Sequence, residues 1–211
     1  MTAALTPAPL NPDCHVVDIA GAPVDLPIVP INAELAIALL MVIDMGLRFG
    51  ERTGQALAER LAPLEPDIVV GTATLGIPVA IEVSRRLGLD RYVILQKSPK
   101  IHLADALVQP VHSVTSSTPQ RLLLDRRAIK LLAGKRVVVV DDVVATGSSL
   151  AAALALVREA GGRIARAGVI LTEGHDWKVA LGADAGLVES LGHIPQFRIE
   201  DGRVSPIAAT L

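Results

Sequence analysis

The chain has 211 residues, 51% of them apolar, a formal charge of −2 and a single cysteine. That length and apolar content suffice for one buried core with a small appendage, and the near-neutral charge leaves no electrostatic footprint for nucleic acid. Cys14 alone excludes an intramolecular disulfide framework and fits a reducing, cytoplasmic setting.

Residues 1–60 read as an N-terminal arm and hood, proline-rich at first and then helical through 32–61. No basic n-region precedes an apolar run, so no signal peptide is expected. The greasiest stretch, 35–43, is bracketed by Glu34 and Asp44. It falls well short of the roughly 20 residues of a membrane span and is expected as a buried or dimer-facing helix. From residue 61 to 211 the pattern alternates as in an α/β core. DIVVG (67–71) predicts a strand, 77–87 a helix closed by Gly88, and 92–95 a strand. The polar segment 97–120, with a Ser/Thr cluster at 113–118, lacks helical periodicity and predicts a long hairpin or flexible flap, with 113–120 as the flap itself. Four valines, Val137 to Val140, predict a strand buried on both faces of a parallel sheet. The alanine- and leucine-rich run from Ser149 predicts a helix ending at Gly161-Gly162. Strands at 163–172 and 187–191 flank a short helix near 177–181. A final hairpin over PQFRIEDGRVSPI (195–207) turns at Asp201-Gly202.

The chemistry concentrates in VVVVDDVVATGSS (137–149). Its acids stand at a strand's carboxyl end, where ligands of open α/β sheets bind and helix N-termini present free N–H groups. Ala145, Thr146, Gly147, Ser148 and Ser149 let a ligand approach the backbone and add hydroxyls, as a monophosphate cradle requires. Phosphate alone would be repelled by Asp141 and Asp142, so the ligand must also bring hydroxyls, a metal ion or positive charge. Taken by themselves, the two acids are equally compatible with a helix cap or a turn. GTATLGIPVA (71–80) repeats the strand, small polar turn and helix, and its amides at Thr72, Ala73, Thr74, Leu75 and Gly76 suit a second anionic group. Lys97 and Lys100 follow a strand directly and suit anion neutralisation or a solvated surface. EGHDWK (173–178) offers acceptors, an imidazole and Trp177, the only tryptophan. That ring suits stacking on a base or packing a helix.

VVVVDDVVATGSS closely resembles the phosphoribosyl pyrophosphate (PRPP) signature of type I phosphoribosyltransferases. The resemblance implies that fold: a central, mostly parallel sheet flanked by helices, with a small hood and a flap hairpin. It implies that Asp141 and Asp142 contact the ribose hydroxyls, with Mg²⁺ as cofactor arriving with PRPP, and that 145–149 hold the 5′-phosphate. Residues 72–76 would bind pyrophosphate, aided by Lys97 and Lys100, with Gln96 standing where the family usually has arginine. The xanthine and adenine branch is similar over more of the chain: Ser113-Val114-Thr115 in the flap, VILTE ending at Glu173, and Val188-Glu189-Ser190-Leu191. PINAELAIALL resembles the hood, where Asn32 matches an asparagine that contacts the purine. By this resemblance the base-binding residues are Asn32, Glu173 and Trp177. The expected activity is transfer of phosphoribose from PRPP to adenine or xanthine in purine salvage, by a cytoplasmic homodimer with no nucleic-acid or membrane partner. A PRPP-sensing transcription regulator of the same fold is the alternative. It needs a basic module, whereas residues 1–50 set five acids (Asp13, Asp18, Asp25, Glu34 and Asp44) against Arg48 alone. A Rossmann or P-loop module would need G-x-G-x-x-G or G-K-[ST], and neither is present.

Overall fold

In the computed structural model, residues 14–99, 105–111 and 120–211 are described. Strands β4 (Ile68–Thr72), β5 (Tyr92–Leu95), β8 (Arg136–Val144), β9 (Arg163–Glu173) and β10 (Val188–Ile194) form a parallel sheet in the order β10-β9-β8-β4-β5. Helices α1 (Leu47–Leu61) and α2 (Gly76–Arg86) cover one face, and α3 (Arg126–Leu132) and α4 (Ser148–Glu159) the other. The valine run shows why both faces must be covered. Val138 and Val140 point into the core under α1 and α2, whereas Val137 and Val139 point into the core under α3 and α4. All four are fully buried, as a continuous apolar strand requires. Gly54 lets α1 press against α2, since a Cβ there would overlap the Glu82 side chain.

A second five-stranded sheet is antiparallel throughout. It is ordered β1 (Cys14–Ile19), β2 (Ala22–Pro30), β3 (Leu35–Ala38), β11 (Gln196–Glu200), β12 (Arg203–Pro206). This corrects the helical reading of 32–46, because Leu35–Ala38 is a strand whose burial alternates along its length. Pairing with β11 on one side and β2 on the other overrides the helical propensity of LAIA. The helix begins only at Leu47, after Gly46 at φ 79°. Residues 22–30, with prolines at 23, 27 and 30, are likewise a strand, β2. Pro27 there contributes only its carbonyl, which accepts from Leu39 N–H. Strands β6 (Leu107–Val111) and β7 (Gln120–Leu124) form the expected antiparallel hairpin, bridged to the end of β5 between Gln96 and Leu123. Residues 113–119 of the expected flap lie outside the described residues, as does Lys100. Helix α5 (Asp176–Leu181) follows β9, and β11 and β12 turn at Asp201-Gly202 as expected. No helix among the described residues is long and apolar enough to cross a membrane.

Candidate active site

β4 and β8 pair as far as Gly71 and Val140; there β4 parts from β8 while staying paired with β5 through Thr72. β8 continues through both acids to Val144, held on its other side by β9. Asp141 therefore stands in the gap that the departing chain 72–76 opens, rather than beyond a strand end. The loop closes over it. The Thr72 hydroxyl bonds the Asp141 carboxyl, and a Cβ on Gly76 would lie 2.6 Å from Asp141 Oδ1. The loop is fastened to β5 by Ala73 N–H, which donates to Leu95 O at 2.9 Å, and its Ala73–Thr74 peptide is cis.

Burial, and then the neighbouring charge of Asp142, push the Asp141 carboxyl up to about 8, against the pull of the Thr72 hydroxyl. Burial also raises Asp142, but bonds from the Asp141 carboxyl and backbone N–H groups, together with the Lys97 charge, favour its ionised form. Both carboxyls are thus raised by burial, Asp141 with the further push of its neighbour's charge, the expected direction for two carboxyls in one dry site. Lys97, the acid pair and residues 72–76 are brought together as the sequence predicted.

On the other side of Asp141, residues 143–150 enclose a cavity of about 150 Å³. The N-cap Gly147 supplies no side chain, and apart from Ser148 N–H, which lies 3.5 Å from Thr146 Oγ1, the first-turn N–H groups of α4 are available to an anion. Thr146 Oγ1 and Ser148 Oγ lie 2.9 Å apart and stiffen the turn. Gly147 is required twice over. Its φ is 79°, and a Cβ there would meet Trp177 Cα at 2.9 Å and Trp177 O at 3.0 Å. The loop after β9 thereby rests on the loop after β8.

Glu173 ends β9, is buried and is shifted toward its neutral form by that burial, with a bond from Gln196 opposing the shift. Trp177 is part of the core under α4. Its indole N–H donates to Gly174 O at 3.0 Å, and Lys178 Nζ lies 5.5 Å from the ring centroid. Asn32 is not brought into this group. It lies in the turn between β2 and β3, where its Oδ1 accepts from Glu34 N–H and Leu35 N–H, both at 2.8 Å. It lines a separate cavity of about 500 Å³ with Leu35, Arg198 and Ile207. The strand register sets it toward Arg198 and away from Gln196, which pairs with Ile37. The sequence offered the His175 imidazole within EGHDWK but missed Gln196 and His193; the rings of His175 and His193 stack with centroids 5.2 Å apart. No motif marks Gln196 or His193, since strand pairing sets their neighbours.

A family model described as "Phosphoribosyl transferase domain" matches residues 51–191. A xanthine phosphoribosyltransferase of Laribacter hongkongensis is 30% identical over 156 residues, covering 73% of this chain and 81% of the relative. An orotate phosphoribosyltransferase of Caldanaerobacter subterraneus is 29% identical over 134 residues, covering 64% of this chain and 58% of the relative. Among solved structures, the adenine enzyme of Giardia lamblia complexed with 9-deazaadenine superposes with a TM-score of 0.67, at 19% identity and covering 80% and 93% of the two chains.

Proposed function

The chain belongs to the phosphoribosyl transferase domain family, is accordingly a phosphoribosyltransferase, and from that premise we propose that it transfers the 5-phosphoribosyl group of PRPP to a purine, adenine or xanthine. The observation that carries this reading is the adjacent carboxyls Asp141 and Asp142 set between two loops whose amides suit anions, with Gly76 of 72–76 abutting Asp141 and Asp141 itself lining the cavity of the turn after β8. The amides of 145–149 hold the 5′-phosphate, and 72–76 with Lys97 hold the pyrophosphate. Asp142 and Asp141 accept the ribose hydroxyls. As the bond from C1′ to the pyrophosphate oxygen breaks and the bond to the purine nitrogen forms, C1′ gains positive charge, which the Asp142 carboxylate faces. Pyrophosphate takes the bonding electron pair, and the proton of the attacking nitrogen passes to solvent. Glu173, braced by Gln196, offers the base a hydrogen bond. No three acidic, histidine or cysteine groups converge among the described residues, so the donor set fits a metal that arrives with the substrate, which needs only one or two carboxylates. Mg²⁺ bound with PRPP would neutralise charge on the departing pyrophosphate. A cytoplasmic homodimer is part of the proposal. Ile43 and Leu47, 58% and 86% exposed beside Pro78 and Ile81, supply an apolar face for a second copy.

The test is pyrophosphate release with PRPP and Mg²⁺ across adenine, xanthine, guanine, hypoxanthine, uracil and orotate. Release that depends on adenine or xanthine is expected. Turnover with orotate alone would overturn the purine assignment.

A further inference from the structure

Register places His193 beside Thr172 and Ile194 beside Glu173. His193 Nδ1 lies 3.0 Å from Thr172 Oγ1, and its Nε2 lies 2.8 Å from Thr210 O. A backbone carbonyl only accepts, so Nε2 donates to Thr210 O, while Nδ1 pairs with the Thr172 hydroxyl. His175, stacked on His193 with rings 11° from parallel, places its own Nε2 3.1 Å from the backbone oxygen of Leu211. Two stacked imidazoles thus grip successive backbone oxygens. The same turn is clamped to β11 by two further bonds and braced by a third of its own. Gln196 N–H donates to Thr210 Oγ1 at 3.0 Å, Thr210 Oγ1 donates to Ile207 O at 2.7 Å, and Ile207 N–H donates to Gln196 O at 2.8 Å. The Gln196 side chain in turn bonds Glu173 and packs against Gly174, where a Cβ would meet its Cδ at 3.4 Å. From Gly174 the contacts continue through the Trp177 indole to Gly147 of the phosphate-side loop.

We propose that the turn Ala208–Thr210 is a positioning element of the base site, acting through Gln196, His193 and His175 to fix Glu173 and the loop 173–177. For the identity of the bound base this rests on the function proposed above. The turn touches no reacting atom. It sets where the Glu173 carboxyl sits relative to C1′, because Gln196 cannot hold Glu173 unless its own backbone is pinned at both N–H and C=O.

Thr210→Val keeps the shape of the side chain and removes one clamping bond and the bracing one, whereas Thr210→Ser keeps the hydroxyl. Trp177 is the only tryptophan of the chain and is 8% exposed, so its fluorescence reports the loop independently of turnover. The expected result for Thr210→Val is at least a twofold rise in acrylamide quenching. KM for the base should rise about fivefold, the scale of one lost neutral hydrogen bond, with KM for PRPP within about twofold. Thr210→Ser should restore both readouts. Unchanged quenching, no rescue by serine, or an equal rise in both KM values overturns the proposal, as does altered quenching with an unchanged KM for the base. If the unaltered protein releases pyrophosphate with no base at all, the function proposed above fails, and the quenching comparison still decides whether the turn positions the loop.

Discussion

The loops 72–76 and 145–149 share one construction, parallel strand to small polar turn to helix, but are held in place by different forces. The first is tied to a titrating group: Thr72 bonds the Asp141 carboxyl and Gly76 abuts it. The second is held by shape, with Gly147 at φ 79° wedged under the Trp177 backbone and a hydroxyl pair bracing the turn. One loop therefore responds to charge and pH, and the other to volume.

The largest effect is expected where shape is absolute. Gly147→Ala adds a Cβ against backbone that cannot swing aside, in a left-handed conformation that itself costs about 1–2 kcal/mol. We expect kcat/KM to fall at least about 100-fold, with a raised KM for PRPP. Kinetics within threefold of the parent would show that the second loop yields to volume after all, and the contrast between the loops would collapse.

Next come the acids, where their unequal surroundings predict asymmetry. Asp142→Asn removes the carboxyl that Lys97 and backbone N–H groups draw toward its charged form, and should lower kcat/KM at least about tenfold, equivalent to about 1.4 kcal/mol of transition-state stabilisation. Asp141→Asn replaces a carboxyl already neutral near pH 7, so the loss at pH 6 should stay below about threefold. Equal losses in the two variants at pH 6 would place the proton elsewhere.

The same group makes stability depend on pH. The Asp141 carboxyl is raised to about 8 from an ordinary 3.8. Its contribution to stability is thus complete below about pH 4 and is lost as the pH climbs through about 8. Thermal melts from pH 6 to 9 should show the parent losing Tm relative to Asp141→Asn, and parallel curves would refute the shift. Thr72→Val should give the smallest effect, about 1 kcal/mol or a fivefold loss in kcat/KM, because it removes only the hydroxyl that links the first loop to the acid. Ser148→Ala, which removes the hydroxyl partner of Thr146 in the second loop, serves as its counterpart. A pH-dependent loss in Thr72→Val and a pH-independent one in Ser148→Ala would sharpen the distinction.

The parallel core was legible because each signal there is local. Four consecutive valines need cover on both faces, and the glycines after 87 and 160 close the helices α2 and α4. Of the antiparallel sheet the final hairpin was legible at Asp201-Gly202 but β3 was not, because one of the two partners that make Leu35–Ala38 a strand is Gln196–Arg198, far along the chain. Alanine and leucine carry no strand signal of their own. The acids could be placed at the site from VVVVDDVVATGSS, but the difference in their surroundings could not, since it arises where β4 parts from β8 and Thr72 and Gly76 close on Asp141. Gln196 and His193 were illegible for the same reason as β3: their neighbours are set by register rather than by spacing, whereas the His175 imidazole stood out in EGHDWK without its stacking partner.

The union of β3 with β11 also bears on how the molecule is made. β1 and β2 can form a hairpin as soon as they leave the ribosome, and β3 can join them, but β3 then presents a bare edge until some 160 residues more have been synthesised. During that interval the parallel core can assemble from segments close in sequence, while the first strands made wait for nearly the last. Closure of this sheet is a long-range step of high contact order and belongs late on the folding route. Truncated nascent chains that end before β11 should expose β3 to strand-capturing chaperones and to one another, whereas chains extended past β12 should not.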